Sequence, residues 1–129
     1  MDRKQDVVPS ISEAEWKIMR VLWGNPDPLP AYDIVQAVAD QEGWHPRTVK
    51  TLLHRLVKKG VLGYRRYKNL YLYYPLLAEA ACLQAESRSF LQRCFGGNLR
   101  PMLVHFIEQQ DLTQAQIRDL KKILDEKGK

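Results

Sequence analysis

The chain is 129 residues long, with 45% hydrophobic and 27% charged residues, a net charge of +5 and a pI near 9.3. About 80 residues of it can bury a modest core, and the remainder is too short to be stable alone. There is no apolar run of the roughly 20 residues that a membrane span needs. The opening residues lack the apolar stretch of a signal peptide, and Cys82 and Cys94 are too few for a disulfide framework, so a cytoplasmic location is expected.

Residues 1–10 read as a disordered lead. Ser12 and Glu15 then form a capping box for a first helix, with Ile11 and Trp16 as its hydrophobic staple. Apolar residues follow at Trp16, Ile18, Met19, Leu22 and Trp23 before Gly24-Asn25-Pro26 ends the helix. The proline-rich segment 25–30 reads as a loop. A second helix starts near Ala31, carries Ile34, Val35, Val38 and Ala39 on one side, and ends at Gly43. His45 is placed to N-cap a third helix with Pro46 at its first position and Gly60 past its end.

After Gly60 the pattern changes to short β-rich runs, Leu62–Tyr67 and Leu70–Tyr74. Lys68-Asn69 makes the turn, with Asn69 suited to a left-handed conformation. The hairpin tyrosines at 64, 67, 71, 73 and 74 read as packing under the hairpin, in preference to a platform for single-stranded nucleic acid. Helix is expected from Leu76 onward. Leu76, Ala80, Leu83, Ser87, Phe90 and Cys94 form a heptad-like seam. Gly96-Gly97 breaks it, a short apolar helix follows over about 99–108, and a last helix is capped by Thr113 and Gln116. Its apolar face is Ile117, Leu120, Ile123 and Leu124.

Three helices, a hairpin and more helices give a mainly α fold. A winged helix-turn-helix is expected over residues 11–75 and a helical dimerisation domain over 76–129. The seam and the final helices supply the expected dimer contacts, Leu76, Ala80, Leu83, Phe90, Leu91, Phe106, Ile117, Leu120 and Leu124.

Charge singles out the third helix. Between Glu42 and Glu79 there is no acidic residue, and the same stretch carries Arg47, Lys50, Arg55, Lys58, Lys59, Arg65, Arg66 and Lys68. Such a one-sign patch attracts a polyanion. At about 100° per residue, Val49, Leu52, Leu53, Leu56 and Val57 share one arc. Arg47, Thr48, Lys50, Thr51, His54, Arg55 and Lys58 share the other. A helix of this kind fits the major groove of double-stranded DNA, with its N-terminal part reading bases. Arg47, Thr48, Lys50 and Thr51 are the expected base contacts. His54, Arg55, Lys58 and Lys59, with Arg65, Arg66 and Lys68 clustered near the hairpin tip, are the expected backbone contacts.

Nothing in the pattern points to catalysis. The histidines at 45, 54 and 105 have no partners at metal-ligand spacing, Cys82 and Cys94 read as buried packing thiols, and no nucleophile has a neighbouring base. No cofactor is expected.

Several segments match a known family in order. Ile11-Ser-Glu-Ala-Glu-Trp16 resembles its opening helix, and His45-Pro-Arg-Thr-Val-Lys-Thr-Leu-Leu-His-Arg-Leu-Val-Lys-Lys-Gly60 its recognition helix. Tyr73-Tyr74-Pro75, Phe95-Gly-Gly-Asn98 and Asp111-Leu-Thr113 resemble its later segments. The chain thus resembles the BlaI/MecI family of bacterial penicillinase repressors from about Ile11 to Leu124. The resemblance implies a homodimeric repressor on a two-fold symmetric operator with TACA/TGTA-type half-sites. It also implies release by a membrane-bound sensor protease that responds to β-lactam and cuts an Asn-Phe bond. Here the aligned pair is His105-Phe106, which keeps the Phe and replaces the Asn; the same pair also reads as a plain helix-packing position. The Cys-x-Cys ending of copper-responsive relatives is absent. Two other functions fit a winged helix, a MarR-like regulator released by a small ligand and a module for protein–protein contact; an acid-free third helix disfavours the latter.

Overall fold

The computed structural model describes residues 7–129; residues 1–6 of the expected lead lie outside the described residues. The chain divides into two compact units, one ending at Glu86 and one beginning at Ser87.

In the first unit, α1 (Glu13–Trp23) starts as expected. The Ser12 hydroxyl accepts from the Glu15 amide at 3.1 Å, and Glu15 Oε1 accepts from the Ser12 amide at 2.8 Å. These bonds satisfy donors that the first helical turn otherwise leaves open. The segment before α2 departs from the expected loop. Leu29–Pro30 form a two-residue strand, β1, which pairs with the later strand β3. Pairing with a distant segment is what creates this strand; its own two residues carry no period. Proline is tolerated because β1 lies at the sheet edge. α2 (Ala31–Glu42) and α3 (Pro46–Lys59) follow, and Gly60 closes α3 at φ 84°, a conformation that costs glycine little.

β2 (Leu62–Tyr67) and β3 (Leu70–Pro75) form the hairpin, giving an antiparallel sheet of order β1-β3-β2. The residue with positive φ in its turn is Lys68 (58°), not Asn69 as expected. A positive φ at the first central position has the sign pattern of a type II′ turn. After β3, the chain does not turn helical at Leu76. The Leu76 amide donates to the Val61 carbonyl at 2.8 Å and extends the hairpin, and α4 (Glu79–Phe95) begins later. Trp23 Nε1 donates to the Leu77 carbonyl at 3.0 Å and ties this exit to α1.

The core lies where α1, α2 and α3 meet over the sheet. Ile18, Met19 and Leu22 of α1 pack with Ile34 and Val38 of α2 and with Val49, Leu53 and Leu56 of α3, capped by Val61, Leu62 and Cys82. Burial raises the Cys82 thiol pKa and leaves it an inert packing group. Cys94, expected to be buried as well, is exposed in the chain.

The second unit holds the rest of α4, α5 (Leu99–Gln109) and α6 (Gln114–Lys127). Thr113 and Gln116 form the expected capping box. Neither α5 nor α6 contains a buried residue.

Among the described residues, the first unit buries one carboxylate. Glu15 is 1% exposed, and Oε1 accepts from Lys59 Nζ at 2.6 Å as well as from Ser12, while Oε2 has no partner. Burial alone would raise its pKa, but the bonds from Lys59 and Ser12 and the Lys59 charge outweigh that and hold it below its ordinary value of 4.5. A depressed carboxylate stabilises the fold above the unfolded pKa and loses that contribution as pH falls through the folded one. We therefore expect the melting temperature to drop as pH is lowered below about 4.5, and to drop less in Glu15→Gln. Lys59→Met strands the buried carboxylate. Discounted for the partial exposure of Lys59, it should cost on the order of 2 kcal/mol at neutral pH in urea unfolding.

Candidate nucleic-acid interface

α3 is built to present one face. His45 Nδ1 accepts from the Arg47 amide at 3.0 Å, so the expected N-cap is in place and an imidazole satisfies the helix's open amides. Val49, Leu52, Leu53 and Leu56 are buried, and Val57 is half-buried. Arg47, Thr48, Lys50, Thr51, His54, Arg55 and Lys58 are all exposed. The two arcs read from the sequence are therefore the two faces of the folded helix. The exposed one offers cationic and hydroxyl donors and no carboxylate.

Lys59 stands apart from that set. Its ammonium donates to Glu15 Oε1 and to the Ser10 carbonyl at 2.8 Å. It fastens the end of α3 to the start of α1, whereas Arg55 and Lys58 have no ion-pair partner among the described residues.

The hairpin lies beside α3 as a wing. Its basic residues do not form one cluster, because neighbouring strand residues face opposite ways. Arg66 is paired with Tyr71, and its guanidinium lies 6.0 Å from that ring. Arg65 lines a different depression, with the loop residues Asn25, Pro26 and Asp27 and with Tyr74. Lys68 occupies the turn, its ammonium 5.3 Å from the Tyr67 ring. A lysine in a backbone conformation that glycine adopts more cheaply puts its charge at the wing tip.

The tyrosines also differ from expectation. Tyr73 and Tyr74 are half-buried, but Tyr64, Tyr67 and Tyr71 are exposed. Tyr64 meets Tyr71 edge to face at 5.2 Å and Tyr73 at 6.1 Å. Burial, then the hydroxyls of Tyr64 and Tyr71, push the Tyr73 pKa above its ordinary value of 10.0, so it stays a neutral donor. These rings, with Tyr32 at the start of α2, line a cleft between wing and α3 that sequence reading missed. Alternation at period 2 was the available signal; the face it belonged to was not.

A family profile described as penicillinase repressor matches residues 11–126. The chain belongs to the penicillinase repressor family. It is 32% identical over 119 residues to the penicillinase repressor of Bacillus licheniformis, covering 92% of each chain. It is also 32% identical over 117 residues to the methicillin resistance regulatory protein MecI of Staphylococcus aureus strain N315, covering 91% of this chain and 94% of that one. Among solved structures, the DNA-binding domain of the repressor BlaI matches with a TM-score of 0.53 at 29% identity, over 58% of this chain and 90% of that one. The monomeric form of Bacillus licheniformis BlaI in complex with the blaP half-operator matches at 0.52, with the same identity and coverage. The fold is therefore the mainly α, winged-helix fold of the penicillinase repressors.

In the second unit, Phe90 and Leu91 are half-buried and Phe106 stacks on Phe90 at 6.0 Å between centroids. His105 lies against Phe95 at 6.2 Å, and the His105-Phe106 bond falls within α5. Ile117 is half-buried; Leu120 and Leu124 of α6 are exposed. In the first unit, Leu76, Ala80 and Leu83 are exposed, Leu76 ahead of α4 rather than on it. Among the described residues no helix is long and apolar enough to cross a membrane, and no group of His, Cys, Asp and Glu is arranged to hold a metal ion.

The shape of the wing rests on a small residue. Gly63 pairs with Tyr74, and a Cβ there would lie 2.8 Å from that ring. Gly63→Ala should push the ring aside and cost about 1–2 kcal/mol in denaturant unfolding. An unchanged midpoint would show that the ring moves freely.

Proposed function

We infer that this chain is a sequence-specific DNA-binding transcriptional repressor of the BlaI/MecI type, acting as a homodimer on a two-fold symmetric operator. The observation that carries the reading is the exposed face of α3, all donors and no carboxylate, on a winged-helix unit like that of BlaI. The N-terminal residues Arg47, Thr48, Lys50 and Thr51 read base edges in the major groove. His54, Arg55 and Lys58, with Arg66 and Lys68 of the wing, contact the sugar–phosphate backbone and set position. Arg65, on the other strand face, and Lys59, held by Glu15, contribute less.

Dimerisation through the second unit is supported by its exposed apolar surface. Leu103 and Phe106 of α5 are each 40% exposed, and Ile123 and Leu124 of α6 are 60% and 61% exposed. A unit this small with no buried residue in two of its helices needs a partner. A second copy placed by a two-fold axis matches the symmetry of a palindromic site.

Release by proteolysis at His105-Phe106 follows the same logic. Cutting α5 there separates α6 from the wing side of the chain and dissolves the dimer contacts. Two linked half-sites act at high effective concentration, so losing the link lowers operator affinity by roughly 10²–10⁴. A sensor protease would have to accept His in place of Asn and open the helix around the bond. In cells exposed to a β-lactam, an immunoblot should show a fragment ending at His105. Induced target genes with an intact repressor would rule this route out.

Selection of bound sequences from random DNA tests the main reading and should return a palindrome. Arg47→Ala and Lys50→Ala should each cost ~1–3 kcal/mol at one base position and relax preference there. Lys58→Ala and Arg66→Ala should weaken all sequences alike and reduce the salt slope by roughly one. Binding without sequence preference would sink the reading. Phe90→Asp should give monomers by light scattering and weaker operator binding; dimers of that variant would move the interface elsewhere.

A further inference from the structure

The cleft between α3 and the wing encloses about 560 Å³, within the range of small-molecule sites. Tyr64, Tyr71 and Tyr73 make one wall, with the Tyr64 ring against each of the other two. Lys50 and His54 of α3 and Tyr32 of α2 face into the same space, and among the described residues no carboxylate lines it. Tyr64 and Tyr71 are 50% and 51% exposed, so this aromatic surface is not part of the core. Operator DNA does not account for it. A duplex keeps its base faces stacked and offers sugars, phosphates and groove edges to a protein. Rings set at 87° and 43° to Tyr64 offer edges and faces that can flank a planar π-system, and Lys50 among the lining residues matches an anionic substituent.

We propose that this cleft binds a small planar aromatic carboxylate, with its ring against the tyrosine wall and its carboxylate on Lys50. Because Lys50 also belongs to the base-reading end of α3, the bound acid and operator DNA exclude each other; this consequence rests on the repressor reading above. A ligand that binds only the DNA-free chain lowers operator affinity by a factor of one plus its concentration over its dissociation constant. At ten times that constant, the effect is about elevenfold per subunit. The site makes the repressor responsive to a metabolite of this chemical class without cutting the chain.

The test is a titration of the full chain with 2-naphthoate in the absence of DNA, followed by amide and tyrosine NMR shifts. Shifts should appear at Lys50, Tyr64, Tyr71 and Tyr73, with a dissociation constant on the order of 1 mM. Tyr71→Ala and Tyr32→Ala should weaken binding about 3- to 10-fold, and Tyr71→Phe, which keeps the ring, should preserve most of it. Lys50→Met should weaken it about 10-fold. Both tyrosines are exposed, so the variants should stay folded, as their unaffected core resonances would show. Cyclohexanecarboxylate, which has the charge and no aromatic ring, should bind at least 3-fold more weakly. No shifts up to about 10 mM, tenfold above the expected constant, would overturn the proposal. So would shifts that map outside the cleft, or equal affinity for the non-aromatic acid. Naphthoate that binds the cleft but leaves operator affinity unchanged would overturn the competition alone. A chain that binds no operator at all would sink the repressor reading and the competition with it, while the DNA-free titration still decides the site.

Discussion

α3 has to satisfy two solvents at once. Its buried arc, Val49, Leu52, Leu53 and Leu56, is the third wall of the only large apolar cluster among the described residues, and α1 and α2 close on it from both sides. Its other arc, rich in cations and hydroxyls, stays open to water. The core of so small a unit has little stability to lose, so each buried methylene on α3 counts. The wing depends on the same arc, because Val61 and Leu62 enter the core directly after the α3 cap and fix where the hairpin leaves it. The direction of the wing, and hence the cleft beside it, follows from how α3 packs.

Electrostatics is divided along the same line. The stretch between Glu42 and Glu79 carries no acidic residue, so nothing within α3 or the wing can neutralise their cations locally. Among the described residues, the carboxylate that reaches α3 comes from α1. Glu15 caps its own helix through Ser12 and holds Lys59, so one side chain terminates a helix and fastens two helices together. That arrangement places a negative group at the far end of α3 from Arg47, Lys50 and Thr51, and leaves the field of the N-terminal end positive.

The second unit follows a different physical rule. α6 is capped by the Thr113–Gln116 box while α5 has no side-chain cap, and α5 and α6 bury nothing fully. Local hydrogen bonding is enough to define helices but not to hide their apolar sides. The aromatic contacts among Phe90, Phe95, His105 and Phe106 organise part of the unit and leave Ile123 and Leu124 to solvent. A surface of that kind is stable in water when another apolar surface covers it.

Features set by neighbours within a few residues were legible in the sequence. The Ser12–Glu15 and Thr113–Gln116 boxes, the His45 cap, the Gly60 stop and the two faces of α3 each depend on a helix turn or less, and the structure contains them all. Features set by distant partners were not legible. β1 exists because Leu29 and Pro30 meet Tyr73 and Leu72. Leu76 continues the hairpin because Val61 offers it a carbonyl, where its apolar spacing suggested helix. Lys59 looked like one more phosphate contact until Glu15, far off in sequence, claimed its charge. The tyrosines showed an alternation without a side, and the packing of the wing against α3 decided that Tyr64 and Tyr71, with half-buried Tyr73, line one cleft. Sequence by itself thus determined helices, caps and the charge of the exposed face of α3, because those are local in chain and period. Tertiary structure alone decided which cations stay free and where the cleft opens, because both depend on contacts between segments whose meeting no local pattern encodes.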